Sequence, residues 1–157
     1  MRKNASRTLT YEQAMLRLTS LCSTSEHCQS DVREKLYKWG LSREDSEKII
    51  DYLLDEKYID EYRYANAYAN DKLRFSHWGR AKIRSMLYMQ HIPEACINEA
   101  LGNIDEAEYE RILESVLEGK KRTLPECESY ASRVKIIRFA LQRGFEMGEI
   151  TKFIDEY

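Results

Sequence analysis

Histidine and cysteine side chains are the first candidates for chemistry in this 157-residue chain, because imidazole and thiolate groups act as bases, nucleophiles and metal ligands. The three histidines, His27, His77 and His91, fall in different connecting segments. Cys22 and Cys28 flank His27, but their spacing is not that of a zinc site and a second ligand pair is missing. The sequence therefore predicts no metal and no cofactor.

Motifs that position catalytic groups are also missing from the sequence. It contains no glycine-rich phosphate loop, no H-E-x-x-H and no G-x-S-x-G, the patterns that place phosphates, zinc or a nucleophilic serine. Carboxylates are numerous, but they are spread over predicted solvent-facing helix surfaces. A pair that meets in space stays open as an alternative. We expect a protein that is not an enzyme.

Charge is the feature that points to binding, because it is arranged in blocks although the net charge is only −2. Residues 63–91 carry six basic side chains against one acid, residues 94–118 eight acids against one base, and residues 119–143 seven bases against two acids. Opposed blocks suit docking on a partner of complementary charge. The basic cluster at 74–84 is the strongest candidate, and Trp78 is the aromatic residue best placed to contact a partner.

The elements that must position these groups are helices. Apolar residues recur at three and four positions throughout, and only 6 Gly and 2 Pro punctuate the chain, too few turns for a sandwich or barrel. Hydrophobic residues make up 43% of the sequence, which excludes a disordered chain. Nine short helices are predicted, with Thr10 and Asp60 among the caps. The fold class is all-α.

An internal repeat organises the predicted helices. Gly40-Leu41, His91-Ile92 and Gly144-Phe145 stand at steps of 51 and 53 residues, with apolar positions recurring at −8, −4, +1, +9 and +10 around each helix-breaking site. We predict three tandem three-helix repeats in an elongated, curved, right-handed array, because one unit alone has little core. The predicted segments are a flexible basic N-terminus at 1–9 and repeats at 10–59, 60–103 and 104–157. A compact nine-helix globule is the alternative.

Location and assembly follow from simpler features. No stretch approaches the length of a membrane span, and polar residues follow the basic start where a signal peptide needs an apolar core. We expect a cytoplasmic protein with reduced thiols and no membrane contact. A monomer is the expected state, since repeat proteins bury their apolar faces internally.

The order of the motifs resembles the RecX family, bacterial modulators of the RecA recombinase. Residues 58–65, Tyr-Ile-Asp-Glu-Tyr-Arg-Tyr-Ala, are similar to the family's "idDeryA" segment. Gly79-Arg80-Ala81-Lys82-Ile83 with Leu87 resembles its "G-x-x-x-I-x-x-x-L" helix start, and residues 36–41 resemble its "kL-x-x-kG-x" turn. Two residues depart from the family pattern: Glu61 replaces a frequent Asp, and His91 replaces the usual Gly.

The resemblance implies a regulatory protein that binds in the groove of the RecA–single-stranded DNA filament. There it would restrain ATP hydrolysis, strand exchange and co-protease activity. Charge alone leaves two alternatives, a helical-repeat module that binds DNA directly and a structural adaptor. The expected contact residues form two strips. The main strip, with Trp78 beside it, consists of Arg63, Lys72, Arg74, Arg80, Lys82 and Arg84. The second strip consists of Arg133, Lys135 and Arg138.

Overall fold

The structure is a computed structural model that describes residues 8–126 and 128–154. Within those residues it contains nine α-helices and no strand. They are α1 (Tyr11–Thr24), α2 (Gln29–Lys38), α3 (Arg43–Asp55), α4 (Glu61–Arg74), α5 (Arg80–Met89), α6 (Glu94–Gly102), α7 (Glu106–Lys121), α8 (Tyr130–Gln142) and α9 (Met147–Ile150). The chain is an all-α helical repeat array, which confirms the predicted fold class.

Side-chain caps start several of these helices. Thr10 and Gln13 form a reciprocal capping box at α1, and the Asp60 carboxylate accepts a hydrogen bond from the Arg63 N–H at the start of α4. Such caps satisfy N–H groups that have no partner inside the helix. Both predicted caps are confirmed.

The repeat is visible as one turn made three times. After α2, α5 and α8, the N–H of Leu41, Ile92 and Phe145 donates to the carbonyl five residues earlier, at 3.1, 3.2 and 3.1 Å. This bond closes a Schellman turn, whose penultimate residue takes a left-handed conformation. Gly40 has φ 79°, Gly144 φ 95° and His91 φ 59°. The prediction that His91 replaces a left-handed glycine is confirmed.

His91 therefore carries a backbone cost that a glycine would remove. We expect His91→Gly to raise the free energy of unfolding by about 0.5–1 kcal/mol, since a non-glycine residue costs about 1–2 kcal/mol at positive φ and glycine recovers part of that. Urea denaturation of both proteins measures it. His91→Ala is the control and should be no more stable than the parent; equal stabilisation by alanine would assign the effect to the imidazole.

Two hydrophobic cores lie along the chain. We call helices α1–α3 the first unit, α4–α6 the second and α7–α9 the third. The first unit has its own core, made of Ala14, Leu18, Val32, Leu36, Ile49, Ile50, Leu53 and Ile59. The second and third units share the other core, which runs from Tyr64 in α4 to Ile150 in α9 and also includes Cys28. The first unit thus has a core of its own, while Cys28 from its α1–α2 connection is buried in the core of the second and third units. The division of the chain at 59/60 and 103/104 stays a prediction.

Polar contacts join the first unit to the second. The Glu61 carboxylate accepts a hydrogen bond of 2.9 Å from the N–H of Gln29, one of the unpaired donors at the start of α2. Burial is the main cause that raises the pKa of Glu61, although the Gln29 hydrogen bond opposes it. Glu61, the residue that departs from the family's Asp, therefore acts across a unit boundary.

The second and third units meet where the end of α8 contacts the start of α5. The N–H of Gly79 donates to the carbonyl of Arg143 at 2.7 Å, and that of Ala81 to Gly144 at 3.0 Å. N–H groups at the start of α5, which have no partner inside that helix, thus donate to carbonyls just after the end of α8. The positive end of one helix dipole meets the negative end of the other, which is favourable. A Cβ on Gly79 would overlap the backbone of Gly144.

The third unit departs from the predicted pattern near its end. Ile136 and Ala140 are buried as the repeat requires, whereas Tyr130 and Leu141, two large apolar residues of the same helix, are exposed. The face of α8 that is buried carries Ile136, Ile137 and Ala140 instead. Because α9 has only four residues, Phe153 falls outside it and stays 38% exposed.

Two further expectations concern the chain start and membranes. Of the predicted flexible segment 1–9, residues 1–7 lie outside the described residues. Leu9 donates its N–H to Trp39 at 2.9 Å and packs on the first core, so it belongs to the folded unit. Among the described residues, no helix is long and apolar enough to cross a bilayer.

Candidate functional site

Arg63, the first residue of the predicted main strip, is engaged inside the molecule. Its Nε lies 2.6 Å from Glu26 Oε1, and its Nη2 donates to the carbonyls of Lys57 and Tyr58 at 3.1 and 3.2 Å. These carbonyls belong to the turn that follows α3. Arg63 thus ties the start of α4 to the connection between α1 and α2 and to the turn after α3, and 42% of its side chain remains exposed.

Arg74 and Arg84 also contact neighbouring helices. Arg74 pairs bidentately with Glu108 of α7, at 2.6 and 3.2 Å, and this hydrogen bond is the main cause that lowers the pKa of Glu108. Arg84 donates to the Asn98 side chain of α6 at 2.9 Å. Both side chains lie at the surface, where such contacts contribute little stability.

Arg80 is largely enclosed, with its side chain 22% exposed. Its guanidinium lies 4.1 Å from the ring centroid of buried Tyr109, pairs with Glu106 and lies 3.5 Å from Glu149. The Tyr109 hydroxyl donates to Glu149 at 3.1 Å and accepts from the Arg80 N–H at 3.1 Å. This network joins α5 to α7 and the short α9.

Part of the block pattern is therefore used inside the chain. Basic side chains of α4 and α5 pair with acids of α7, namely Glu106 and Glu108. The sequence shows that the blocks are complementary, but it does not show that they fold onto one another. The charges of Arg74 and Arg80 suggested docking on a partner, but in the structure they form ion pairs that link the second unit to the third.

Lys72 and Lys82 differ from these arginines. Their Nζ atoms lie 4.8 and 4.5 Å from the ring centroid of Trp78, and Lys72 lies 5.4 Å from Tyr68. The indole ring attracts both ammonium groups through cation–π interactions. Two positive charges are thus held beside one half-exposed aromatic ring.

A second group of the same kind lies in the third unit. Lys120 Nζ and the Arg143 guanidinium lie 5.1 and 5.0 Å from the ring centroid of Phe139. Arg143 also donates to the carbonyl of Ser76 at 2.9 Å, which brings this group beside the loop that carries Trp78. We call the two groups together the basic–aromatic surface: Lys72, Trp78, Lys82, Lys120, Phe139 and Arg143.

The basic–aromatic surface holds four cations, the ammonium groups of three lysines and one guanidinium. Among the residues that the structure describes, none of its lysines or Arg143 forms an ion pair. Unneutralised cations next to aromatic faces suit phosphates and nucleobases. Sequence reasoning counted Lys120 and Arg143 only as part of a basic block, and no signal pointed to Phe139.

The predicted second strip does not lie on one face of α8. Arg133 faces a cavity of about 180 Å³ lined by Leu117, Lys121, Glu128, Ile136 and other residues, and its Nε is buried without a hydrogen-bond partner. Lys135 is exposed and lies one turn before Phe139, next to the basic–aromatic surface. Arg138 is exposed as well and lies three residues after Lys135, on the same side of the helix, so Arg133 is the member of the strip that faces elsewhere.

The histidines and thiols that could do chemistry remain apart. No cluster of three His, Cys, Asp or Glu side chains able to hold a metal occurs within residues 8–126 and 128–154. Cys22, Cys28 and Cys96 are free thiols, and burial raises the pKa of the Cys28 thiol to about 12. A thiol in that state is a poor nucleophile.

Comparison with protein families finds two matching models. The model described as RecX, second three-helix domain, matches residues 60–101. The model described as RecX, third three-helix domain, matches residues 107–154. The two matches together cover more than half of the chain.

Curated relatives carry the name Regulatory protein RecX. That of Chlorobaculum tepidum is 30% identical over 128 residues, covering 82% of this chain and 78% of the relative. That of Clostridium botulinum (strain Alaska E43 / Type E3) is 33% identical over 132 residues, covering 82% of this chain and 60% of the relative. The chain spans about three-fifths of the length of the Clostridium tetani and Clostridium botulinum relatives.

Solved structures have the same fold. The crystal structure of RecX from Lactobacillus salivarius superposes with a TM-score of 0.81 at 19% identity, covering 93% of this chain and 95% of that one. A crystal structure of regulatory protein RecX gives a TM-score of 0.78 at 19% identity, covering 91% and 72%. At this identity the likeness concerns the arrangement of helices alone.

Proposed function

This chain belongs to the RecX family, and on that premise we propose that it is a regulator of the RecA recombinase. It binds the filament that RecA forms on single-stranded DNA and mainly inhibits the ATPase, strand-exchange and co-protease activities of that filament. It catalyses no reaction of its own and needs no cofactor. The name regulatory protein, shared by its relatives, supports a regulatory role.

The basic–aromatic surface carries this proposal. A RecA–single-stranded DNA filament presents protein and phosphate together, and Lys72, Lys82, Lys120 and Arg143 are available for phosphates. Trp78 and Phe139 offer flat apolar faces between these cations, on which a nucleobase can stack. Because this surface spans the junction of the second and third units, a rigid backbone contact sets its geometry.

The assignment of contact residues changes accordingly. Lys72, Trp78, Lys82 and Lys135 remain proposed contacts, and Arg138 remains an exposed candidate. Arg63, Arg74, Arg80 and Arg84 retain exposed atoms that a partner can meet, but their intramolecular contacts make them poor sites for testing the function. Arg133 faces the cavity beside α7, and its proposed contact with a partner is the weakest.

The test is the single-stranded-DNA-dependent ATPase of RecA, with this protein titrated from substoichiometric amounts. We expect the parent to inhibit this activity. For Lys72→Ala/Lys82→Ala, the concentration that gives half-maximal inhibition should rise about tenfold or more, because phosphate contacts dominate such affinity. Arg43→Ala/Lys48→Ala removes two exposed cations of α3 and is the matched control. No inhibition by a folded parent at several-fold excess would overturn the proposal.

A second candidate is a helical-repeat module that binds nucleic acid directly, favoured by the position of Trp78 between two lysines. Binding of a labelled single-stranded oligonucleotide at several salt concentrations tests it. Each neutralised phosphate contributes about 0.7 to the slope of log K against log salt on single strands. Lys72→Ala/Lys82→Ala should then make this negative slope shallower by about 1.4. Tight binding of free DNA with no effect on RecA would favour this candidate.

A further inference from the structure

A groove of about 590 Å³ separates the connection between α1 and α2 from helix α4. It adjoins the basic–aromatic surface at Lys72 and at Ser76, whose carbonyl accepts a hydrogen bond from Arg143, and His27 also lines it. Three carboxylates and three aromatic rings are among its lining residues. We call it the acidic–aromatic groove and define it by these six: Glu26, Asp31, Tyr64, Tyr68, Asp71 and Phe75.

The aromatic wall of the groove is anchored at one end and open at the other. Tyr64 and Tyr68 have ring centroids 5.9 Å apart with an interplanar angle of 32°, and the Tyr64 hydroxyl donates to Gln90. Phe75, the residue that follows α4, is 81% exposed. This ring lines the same groove as the two tyrosines.

The acidic side of the groove has unused acceptors. Neither Asp31 nor Asp71 forms an ion pair with any cation that the structure describes. Glu26 pairs with Arg63 through Oε1, while its Oε2 is buried with no hydrogen-bond partner. Asp31 and Asp71 are therefore the carboxylates of the groove that have no paired cation among the described residues.

The negative charge extends across the groove to its aromatic wall. Burial raises the pKa of Tyr68, and the Asp31 carboxylate adds to this effect from α2. The ammonium of Lys72 is directed to the Tyr68 and Trp78 rings and forms no ion pair with Asp71 among the described residues. Carboxylates that face exposed aromatic rings match a cation with an apolar stem.

We propose that the acidic–aromatic groove binds a basic segment of a partner protein, one in which Arg or Lys side chains recur in an extended stretch. Their cationic groups bind Asp31 and Asp71 by charge-assisted hydrogen bonds, and their stems and guanidinium planes lie on Tyr68 and Phe75. Nucleic acid is not the occupant, because its phosphates would face three carboxylates. This inference goes beyond the proposed function, since it assigns a second surface that discriminates by the opposite charge.

Fluorescence anisotropy of a fluorescein-labelled peptide of alternating Arg and Ala tests the groove directly. We expect the intact chain to bind this peptide and not the same peptide with Glu at the Arg positions. Asp31→Asn/Asp71→Asn should weaken binding about tenfold, because two partly exposed ion pairs are lost together. Phe75→Ala should weaken it about threefold through the lost cation–π contact.

The control variant is Asp51→Asn/Asp55→Asn, which removes two exposed carboxylates of α3 outside the groove. It should keep the parent affinity. An equal loss in both double variants would overturn the proposal, because it would assign binding to net charge alone. No binding of the Arg peptide by the parent would overturn it as well.

Failure of the groove and failure of the proposed function give different results. A parent that inhibits the RecA ATPase but does not bind the Arg peptide contradicts the groove alone. A parent that binds the Arg peptide through Asp31 and Asp71 but does not affect RecA supports the groove and contradicts the proposed function. Asp31→Asn/Asp71→Asn should bind a single-stranded oligonucleotide as the parent does, since neither residue belongs to the basic–aromatic surface.

Discussion

Gly79→Ala should lower the free energy of unfolding by about 2–3 kcal/mol, although the substitution adds only one methyl group. The backbone of Gly79 takes φ −80°, which alanine adopts without strain. The cost comes from the space around it, because a Cβ there would overlap the backbone of Gly144. Backbone atoms cannot move aside as a flexible side chain does, so the contact between α8 and α5 must open. Urea denaturation followed by circular dichroism measures the effect.

Gly119→Ala is the matched control for Gly79→Ala. Gly119 lies within α7, and nothing stands within 4 Å of the position its Cβ would take. Alanine is a better helix former than glycine by about 0.8–1 kcal/mol, so this variant should be more stable than the parent. If Gly79→Ala were as stable as the parent, the close approach of the two backbones would be contradicted.

Arg80→Ala should lower the free energy of unfolding by about 2–3 kcal/mol, because it leaves polar groups without partners in a largely enclosed network. The guanidinium covers the face of Tyr109 and balances Glu149, whose side chain is also only 22% exposed. Its loss removes the packing of the arginine stem and leaves the Glu149 carboxylate with two hydrogen-bond donors, the Tyr109 hydroxyl and the Glu146 N–H, but without the guanidinium charge. Thermal and urea unfolding of the purified variant measure this.

Lys82→Ala is the comparison that gives Arg80→Ala its meaning. Lys82 is two residues away and has the same charge, but its Nζ lies near Trp78 with no ion pair among the described residues. We expect its removal to change stability by less than about 0.5 kcal/mol and to weaken partner binding. The opposite ranking, with Lys82→Ala the less stable variant, would contradict the division between structural and binding cations.

This pair also bears on how a cluster of basic residues should be tested. A variant that replaces Arg74, Arg80, Lys82 and Arg84 together would lose the link between α5, α7 and α9 along with any contact to a partner. Its failure to inhibit RecA would then have two causes. The variant Lys72→Ala/Lys82→Ala, which leaves the arginines in place, tests the basic–aromatic surface without disturbing Arg80.

The repeat and its turns could be predicted from the sequence because local rules determine them. Gly40, His91 and Gly144 stand at equivalent positions, and a left-handed turn follows from the geometry of a helix end. Buried apolar positions four and eight residues earlier follow from the helical period. The end of the third unit could not be predicted this way, because α9 stops after one turn and leaves Phe153 outside the helix.

The candidate site was predicted less well, and the reason is the range of the interactions. Helical spacing shows that Arg80 and Arg84 share a helix side, but the partner of Arg80 is 26 residues away in Glu106. Whether a cation faces a carboxylate of another unit depends on how the units pack, which no local pattern records. Lys72 and Trp78 were predicted, whereas Phe139 became part of the site only through the junction of α5 and α8.

The separation of the two cores has a consequence for cooperativity. Each core loses its own buried surface on unfolding, and among the described residues the links between the cores include Cys28 and the polar contacts of Glu61 and Arg63, so we expect the chain to unfold as two cooperative bodies rather than one. Each body contains one of the two tryptophans, since Trp39 packs on the first core and Trp78 on the second. Intrinsic fluorescence therefore adds two signals of separate origin, and replacing one tryptophan by phenylalanine isolates the unfolding of the body that holds the other.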